Sequence, residues 1–404
     1  MSNQETHETL QAPEAIKISA MVKVISAIMV LIGVAAFVYS LRSEHQNYAW
    51  GGYLIGIFYM LSLAVFGPLW VSILYMSRGI WSVTMRRIPE AMGAALIPAG
   101  VLTLAVVVGL HSLYHWSHAD VVAKDELLLH KAPFLNPTLF MILISLSLII
   151  WIVFNHILRR NSLKQDEDGK ASYSINNITF SAIFILLFSL TYSVVSFYLL
   201  MSLDAHWFST MFAVLTFTDM VQTGLAFVSI VAAVLVMQGK LKGYLNENHL
   251  HGVGKMLFAA TGFWAYIYFS QFLLIWYGNL PEETAYFIKR WENGWLVYLA
   301  ILPFVKFLVP FVILVPRENK RKPLRLLSMA VLIIFAQFLE LYVMVAPALG
   351  HGSEVAHGHL PVIEFLMFLG FTGLFVLLFA VAVGRKKSVP LNDPYIRESI
   401  HHHT

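Results

Sequence analysis

Cysteine is absent from the 404 residues of this sequence. The absence excludes disulfides, thiolate-held iron–sulfur clusters and haem attachment through a C-x-x-C-H motif. Any such redox centre that the protein serves must be held by another polypeptide. We therefore expect that this chain does not catalyse a redox reaction alone.

Charge is also scarce, since only 12% of the residues are charged whereas 58% are hydrophobic, and the mean hydropathy is +0.70. A soluble protein of this length is not so apolar. A transmembrane helix needs about 20 mainly apolar residues. The sequence predicts an all-α integral membrane protein with about ten such helices, over residues 21–41, 49–77, 91–115, 134–156, 177–203, 207–238, 254–280, 294–315, 325–349 and 360–384.

The basic residues predict the orientation in the membrane, because short cytoplasmic loops are enriched in Lys and Arg. Most of the 27 basic residues fall in the terminal segments and in alternate loops; the other side has only Arg42, Lys124, Lys131, Lys289 and Arg290. We expect a bacterial inner-membrane protein with a cytoplasmic segment 1–20, a membrane domain 21–384 and a cytoplasmic tail 385–404. The net charge of +4 reflects this bias and predicts no nucleic-acid partner.

Four charged residues lie within the predicted spans: Asp219, Lys306, Glu340 and Glu364. Such residues are unfavourable in lipid and mark functional candidates. At about 1.5 Å per residue, Asp219 and Lys306 lie roughly 18 and 16 Å below the periplasmic face. We expect these two to pair, directly or through water. Glu340 and Glu364 lie at roughly 14 and 6 Å from the same face. The four groups are thus predicted at successive depths toward the periplasm, and we call this series the staircase.

Amide and histidine side chains extend this set into a candidate proton path. Gln222, Gln271 and Gln337 are expected between the charged groups, while His156 and Lys255 are the candidates in the cytoplasmic half. The alternative is that the buried groups only fix how the helices pack and that no proton moves.

Three other groups of polar residues do not predict a haem or metal site. His111 and His115 lie four apart on one helical face, which is compatible with haem ligation, but His111 and His156 fall near opposite membrane faces, so no b-type haem is predicted. The stretch HGSEVAHGH, residues 351–359, carries three histidines, but its glycines leave the geometry undefined and no metal site is predicted. Arg86, Arg87 and Glu90 are expected to form an interfacial ion cluster.

Four segments carry a resemblance to a known family: SLDAHWFSTMF (202–212), HLHGVGKMLFAATG (249–262), FWAYIYFSQFLLIWYGNLPEET (263–284) and LNDPYIRESI (391–400). Over nearly its full length the chain resembles the F subunits of alternative complex III, a bacterial quinol:cytochrome c oxidoreductase. These are the second of two large polysulfide-reductase-type membrane subunits.

The resemblance implies two four-helix bundles plus a peripheral helix at each end. It also implies partners: a sister membrane subunit, and periplasmic subunits that hold haem c and iron–sulfur clusters. Quinone or menaquinone and phospholipid are the implied ligands. A quinol site in this chain would use His111, His115 and Asp120, because a quinol releases two protons as its electrons leave. A lipid-filled groove is the alternative.

A different class of function also fits the residues. A free-standing secondary transporter would use Asp219 and Lys306 for substrate or ion coupling near the middle of the membrane. The two hypotheses differ in the proteins that would accompany this chain on purification.

Overall fold

The computed structural model describes residues 13, 15–42, 46–350, 358–385 and 387–402. Ten helices are long and apolar enough to cross a membrane, which confirms the predicted architecture, and the described residues form no strand. We number these helices α1–α10: Ala20–Leu41, Gln46–Met76, Arg87–Leu113, Pro137–Asp168, Ser172–Leu199, Met211–Met237, Glu247–Gly278, Leu296–Leu314, Pro323–Leu349 and Val362–Gly384. Short helices also connect them, at Ala119–Val122, Glu126–Lys131, Pro281–Trp291 and Arg317–Arg321, and Ile396–Ile400 follows α10.

The helices pack as two four-helix bundles. In the first bundle, α2 contacts α3 and α5, and α4 closes the ring between them; in the second, α6 contacts α7 and α9, and α8 closes the ring. Contacts of α2 with α6 and α9, and of α5 with α6, join the bundles. This is the arrangement that the family resemblance implies.

The two remaining helices, α1 and α10, pack against each other and against α2. They cross at two glycines, where a Cβ atom on Gly33 would lie 2.6 Å from the Cα of Gly370. Only residues without a side chain permit so close an approach. The peripheral helices are therefore neighbours, although they come from opposite ends of the sequence.

Helix α2 lies at the centre of the molecule and is buried along its full apolar length. A helix that is hydrophobic on all sides is buried in this way. The outer helices instead expose large apolar side chains, such as Leu31 of α1 at 68%. Apolar residues on the outside agree with a hydrocarbon environment.

The segments that precede α1 and follow α10 meet on one side of the molecule, where the Ile16 backbone N–H donates to Ser388 Oγ at 2.8 Å. We call this side the terminal face and the other side the distal face; they correspond to the predicted cytoplasmic and periplasmic faces. Residues 1–12 of the predicted N-terminal segment and residues 351–357 of the histidine-rich stretch lie outside the described residues.

Candidate functional site: a buried charge cluster in the second bundle

A lysine and two carboxylates meet inside the second bundle. Lys306 Nζ of α8 donates to Asp219 Oδ1 of α6 at 2.7 Å, so the predicted pairing is present, and it also donates to Glu340 of α9. All three side chains are essentially inaccessible to solvent. Gln337, one turn before Glu340, accepts from the same ammonium group at 2.7 Å. We call these four residues the buried cluster.

The backbone around Lys306 is irregular because of two prolines. Pro303 precedes a single π-helical turn, Phe304–Leu308, and Pro310 has no N–H to donate to the Lys306 carbonyl in an α-helical pattern. Gln222 Nε2 donates to that carbonyl instead, at 3.1 Å. Polar backbone groups freed within a membrane are tolerated where a neighbouring helix binds them.

The composition of the buried cluster determines its protonation. One ammonium and two carboxylates leave one negative charge, and an isolated buried charge is strongly unfavourable. The cluster is neutral when one of its carboxyl groups, Asp219 or Glu340, holds a proton. Asp219 Oδ2 has no hydrogen-bond partner among the described residues, whereas Glu340 Oε1 accepts from Trp264 Nε1 at 3.0 Å. The cluster is therefore suited to gain and release one proton.

A cavity adjoins the buried cluster on its distal side. Its wall includes Glu340, Gln271, Tyr268 and Arg290, and it offers about 30 Å³ for the centres of water-sized molecules. A water needs roughly 10–15 Å³ of such space and two to four polar partners, so there is room for about two waters. The buried carbonyl oxygen Oε1 of Gln271 has no partner among the described residues and is a suitable acceptor there.

Arg290 closes the distal end of the cavity. It lies in the short helix Pro281–Trp291 and is buried; its guanidinium donates to the backbone carbonyls of Val343 and Met344 at 2.9 and 2.8 Å and to Asp204 Oδ2 at 3.1 Å. Asp204 also accepts from the half-exposed Lys289 at 2.9 Å. The cavity thus separates the buried cluster from the hydrogen-bonded group of Arg290, Asp204 and Lys289, which reaches the distal surface.

The positive charges at the distal end of the cavity change the pKa of Asp204. Burial alone raises the pKa of Asp204, but the positive charges of Arg290 and Lys289 more than offset it, so its pKa lies below the usual range. Burial also raises the pKa of Tyr286, which stacks on Arg290, to about 12, so this phenol stays protonated. Arg290 and Asp204 are not among the site residues that the sequence predicts.

Glu364 belongs to a separate cluster. It is buried at the start of α10, where His359 Nε2 lies 3.1 Å from its Oε1. The His359 backbone carbonyl accepts from Tyr298 at 2.8 Å and from Tyr342 at 2.9 Å. No hydrogen bond of the described residues joins Glu364 directly to the buried cluster, and a connection through water stays a prediction.

The two candidates for the terminal-face half of a proton path lie apart from the buried cluster. His156 is exposed on α4 in the first bundle, and Lys255 is exposed on α7. Neither is joined to the buried cluster by a hydrogen bond within the described part of the chain. Among the described residues, the cavity that adjoins the buried cluster lies toward the distal face instead.

The prediction that His111 and His115 share one helical face is wrong. Helix α3 ends at Leu113, and Tyr114 adopts an extended conformation, so His115 begins a separate turn. The Tyr114 hydroxyl donates to the Leu199 carbonyl at 2.9 Å, and this tertiary contact accompanies the end of the helix.

The three candidate quinol residues lie at the distal end of the first bundle. His111 and Asp120 are exposed and His115 is half-buried. The ring Nδ1 of His111 lies 3.0 Å from Ser117 Oγ. A quinol pocket encloses the headgroup away from water. The assignment of these three residues to such a pocket stays a prediction.

The predicted ion cluster at the start of α3 is present, and its side chains are buried within the protein. Arg86 pairs with Asp393 of the C-terminal tail at 2.5 Å, and Arg87 pairs with both Glu90 and Asp166. All five side chains are less than 10% exposed. The tail therefore contributes to the closed terminal end of the first bundle.

Among the residues that the structure describes, no group of three or more His, Asp or Glu side chains is arranged to hold a metal ion. No protein-family model matches the chain, and no curated protein matches it significantly.

Proposed function

We propose that this chain is a proton-conducting membrane subunit of a quinol-oxidising electron-transfer complex. The buried cluster, with its adjoining cavity, is the single observation that carries the proton-conducting role. A group of two carboxylates and one ammonium is neutral with one added proton, and the cavity is wide enough for water to relay that proton.

The proton moves between the buried cluster and the distal face. Glu340 is the cluster member that lines the cavity, and Gln271 offers an acceptor for water within it. Arg290 is held by backbone carbonyls and positions Asp204 near the surface. The guanidinium carries a permanent charge and the pKa of Asp204 is lowered, so in this proposal water in the cavity, and neither of these side chains, exchanges the proton at this end.

Membership in a redox complex is supported by one feature of the sequence, its resemblance, and is compatible with another, its lack of cysteine. The chain has no cysteine, so thiolate-held clusters and covalent haems must belong to partners. Its four quoted segments resemble a quinol:cytochrome c oxidoreductase subunit. In this proposal the partner subunits hold the iron–sulfur clusters and haem c and perform the electron transfer.

The conducting role is tested in the assembled complex, reconstituted in vesicles. Electron transfer is followed as acceptor reduction, and proton translocation is followed separately with a pH-sensitive dye. We expect Glu340→Gln to abolish proton translocation while assembly and heme content are kept. Glu364→Gln is the matched control, since Glu364 is an equally buried carboxylate outside the buried cluster. Unchanged translocation in Glu340→Gln would contradict the proposed path.

A secondary transporter is the second candidate, and the interrupted helix α8 favours it, because transporters use broken helices at their binding sites. Gentle purification distinguishes the two functions. Under our proposal, multihaem cytochrome and iron–sulfur protein accompany the chain. Isolation as a stable, colourless single chain that takes up a solute would favour the transporter.

A further inference from the structure

Basic residues collect on the terminal face where α7, α8 and α9 meet. The basic cluster consists of Lys255, Arg317, Lys320, Arg321, Lys322 and Arg325. The carboxylates on the same segments are Glu247, which lies 3.4 Å from Arg321, and Glu318. Positive charge is therefore in clear excess at this position.

Packing of the short helix Arg317–Arg321 against α7 holds the basic cluster together. A Cβ atom on Gly254 would lie 3.0 Å from the Cβ of Lys320, so the two backbones approach closely. This contact places the exposed Lys255 at the level of the connection between α8 and α9. The Lys320 ammonium points inward and donates to the carbonyls of Leu314 and Val315 at 2.5 and 2.9 Å.

Like charges are thus held close to one another. Burial lowers the pKa of Lys320, and the nearby charge of Lys255 lowers it further. The charges of Lys255, Arg317 and Arg321 also act on the buried ring of His251. Because the fold fixes these positions, an anion bound between them would relieve their mutual repulsion.

We propose that the basic cluster binds the phosphate groups of an anionic phospholipid such as cardiolipin. Phosphate is the anion that Arg and Lys recognise best, and basic pockets at the ends of membrane helices bind lipid headgroups. Exposed apolar side chains adjoin the cluster, namely Val315 at 53%, Leu324 at 69% and Met256 at 36%. These side chains fit acyl chains, which a soluble phosphate ion does not have.

The test uses the full chain in phosphatidylcholine nanodiscs into which cardiolipin is titrated, with the bound lipid counted by native mass spectrometry. The double variant Lys255→Gln with Arg321→Gln removes two charges from the basic cluster. The matched control, Arg160→Gln with Lys170→Gln, removes two charges from the terminal end of the first bundle. We expect the first variant to bind cardiolipin roughly ten- to thirty-fold more weakly and the control to bind it as the unchanged chain does.

Two results would overturn the proposal. In the first, both double variants lose affinity equally, which would mean that any positive charge on this face acts alike. In the second, inorganic phosphate displaces cardiolipin at equal phosphate concentration, which would make the ligand a free anion. The thermal unfolding midpoint in phosphatidylcholine alone verifies that the variants are folded, and Lys255→Gln alone replaces the double variant if they are not.

Discussion

The two four-helix bundles have the same number of helices and the same ring of contacts, but they place their charges differently. In the described part of the first bundle, charged side chains within the spans lie only near the terminal-face ends of α3 and α4; Arg87 and Asp166 are examples. The second bundle carries Asp219, Lys306 and Glu340 deep in its interior. The interior of the first bundle is instead filled by aromatic rings, such as Trp151 and Phe188.

This difference bears on the proposed proton path. Aromatic and aliphatic side chains offer no group that accepts a proton within the membrane, whereas the buried cluster does. Charges at a bundle end fix the attachment of loops and tail. We therefore assign scaffolding to the first bundle and proton transfer to the second, and the following variants test that assignment.

The largest effect is expected for Lys306→Met. Removal of the ammonium leaves Asp219 and Glu340 in the membrane without a cation, and breaking a buried ion pair destabilises a protein by about 3–5 kcal/mol. Proton translocation should also be lost. The measurement is the thermal unfolding midpoint of the purified protein, together with the vesicle assay.

Two further variants test whether this loss is due to the buried charges. Lys289→Met removes a half-exposed lysine and should change the unfolding free energy by less than about 1 kcal/mol. The neutral triple variant Lys306→Met, Asp219→Asn, Glu340→Gln should recover most of the lost stability, because no charge stays buried. A stable Lys306→Met single variant with normal translocation would mean that the buried cluster has no role.

The first bundle offers the complementary variant, Arg87→Met. It leaves Glu90 and Asp166 buried without their cation, so we expect a loss of about 3 kcal/mol in the free energy of unfolding. Proton translocation per electron should stay unchanged in the protein that assembles. If translocation fell as much as in Lys306→Met, the division of roles between the bundles would be wrong.

Much of the fold was predictable because it depends on length and hydropathy alone. Runs of apolar residues defined the ten spans to within a few residues in most cases, although α4 continues to Asp168. The shared level of Asp219 and Lys306 followed from counting residues along straight helices. The rise of a helix fixes depth even when the packing partners are unknown.

The parts that the sequence did not predict depend on which helices are neighbours. Glu364 has a suitable depth, but α10 packs on α1 and α2, so its carboxylate lies outside the second bundle. Arg290 and Asp204 are 86 residues apart and meet only because a short helix folds over the cavity. The end of α3 before His115 has no proline or glycine signal, and tertiary contacts of Tyr114 oppose local helix propensity there.

A smaller and more specific effect is expected for Gln271→Leu. The leucine has nearly the same volume but offers water no acceptor, so the cavity beside Glu340 becomes apolar. Proton transfer should slow by about tenfold or more, with little change in the unfolding midpoint. Gln238→Leu, at the exposed end of α6, is the control and should translocate protons normally. A normal rate of proton transfer in Gln271→Leu would mean that the proton path does not pass through this cavity.

The smallest effect is expected for Asp204→Asn, and it should depend on pH. The carboxylate is stabilised by Arg290 and Lys289, so the substitution should reduce the free energy of unfolding by about 1–2 kcal/mol at pH 7. Because the pKa of Asp204 is lowered in the folded protein, its contribution is complete above the unfolded-state pKa of about 3.9 and is lost as the pH falls through the folded-state pKa. The unfolding free energies of the unchanged protein and the variant, measured from pH 7 to pH 3, should therefore converge only below about pH 4. A difference that stays constant over this range would mean that the charge of Asp204 does not stabilise the distal end of the second bundle, and that Arg290 is held there by the carbonyls of α9 alone.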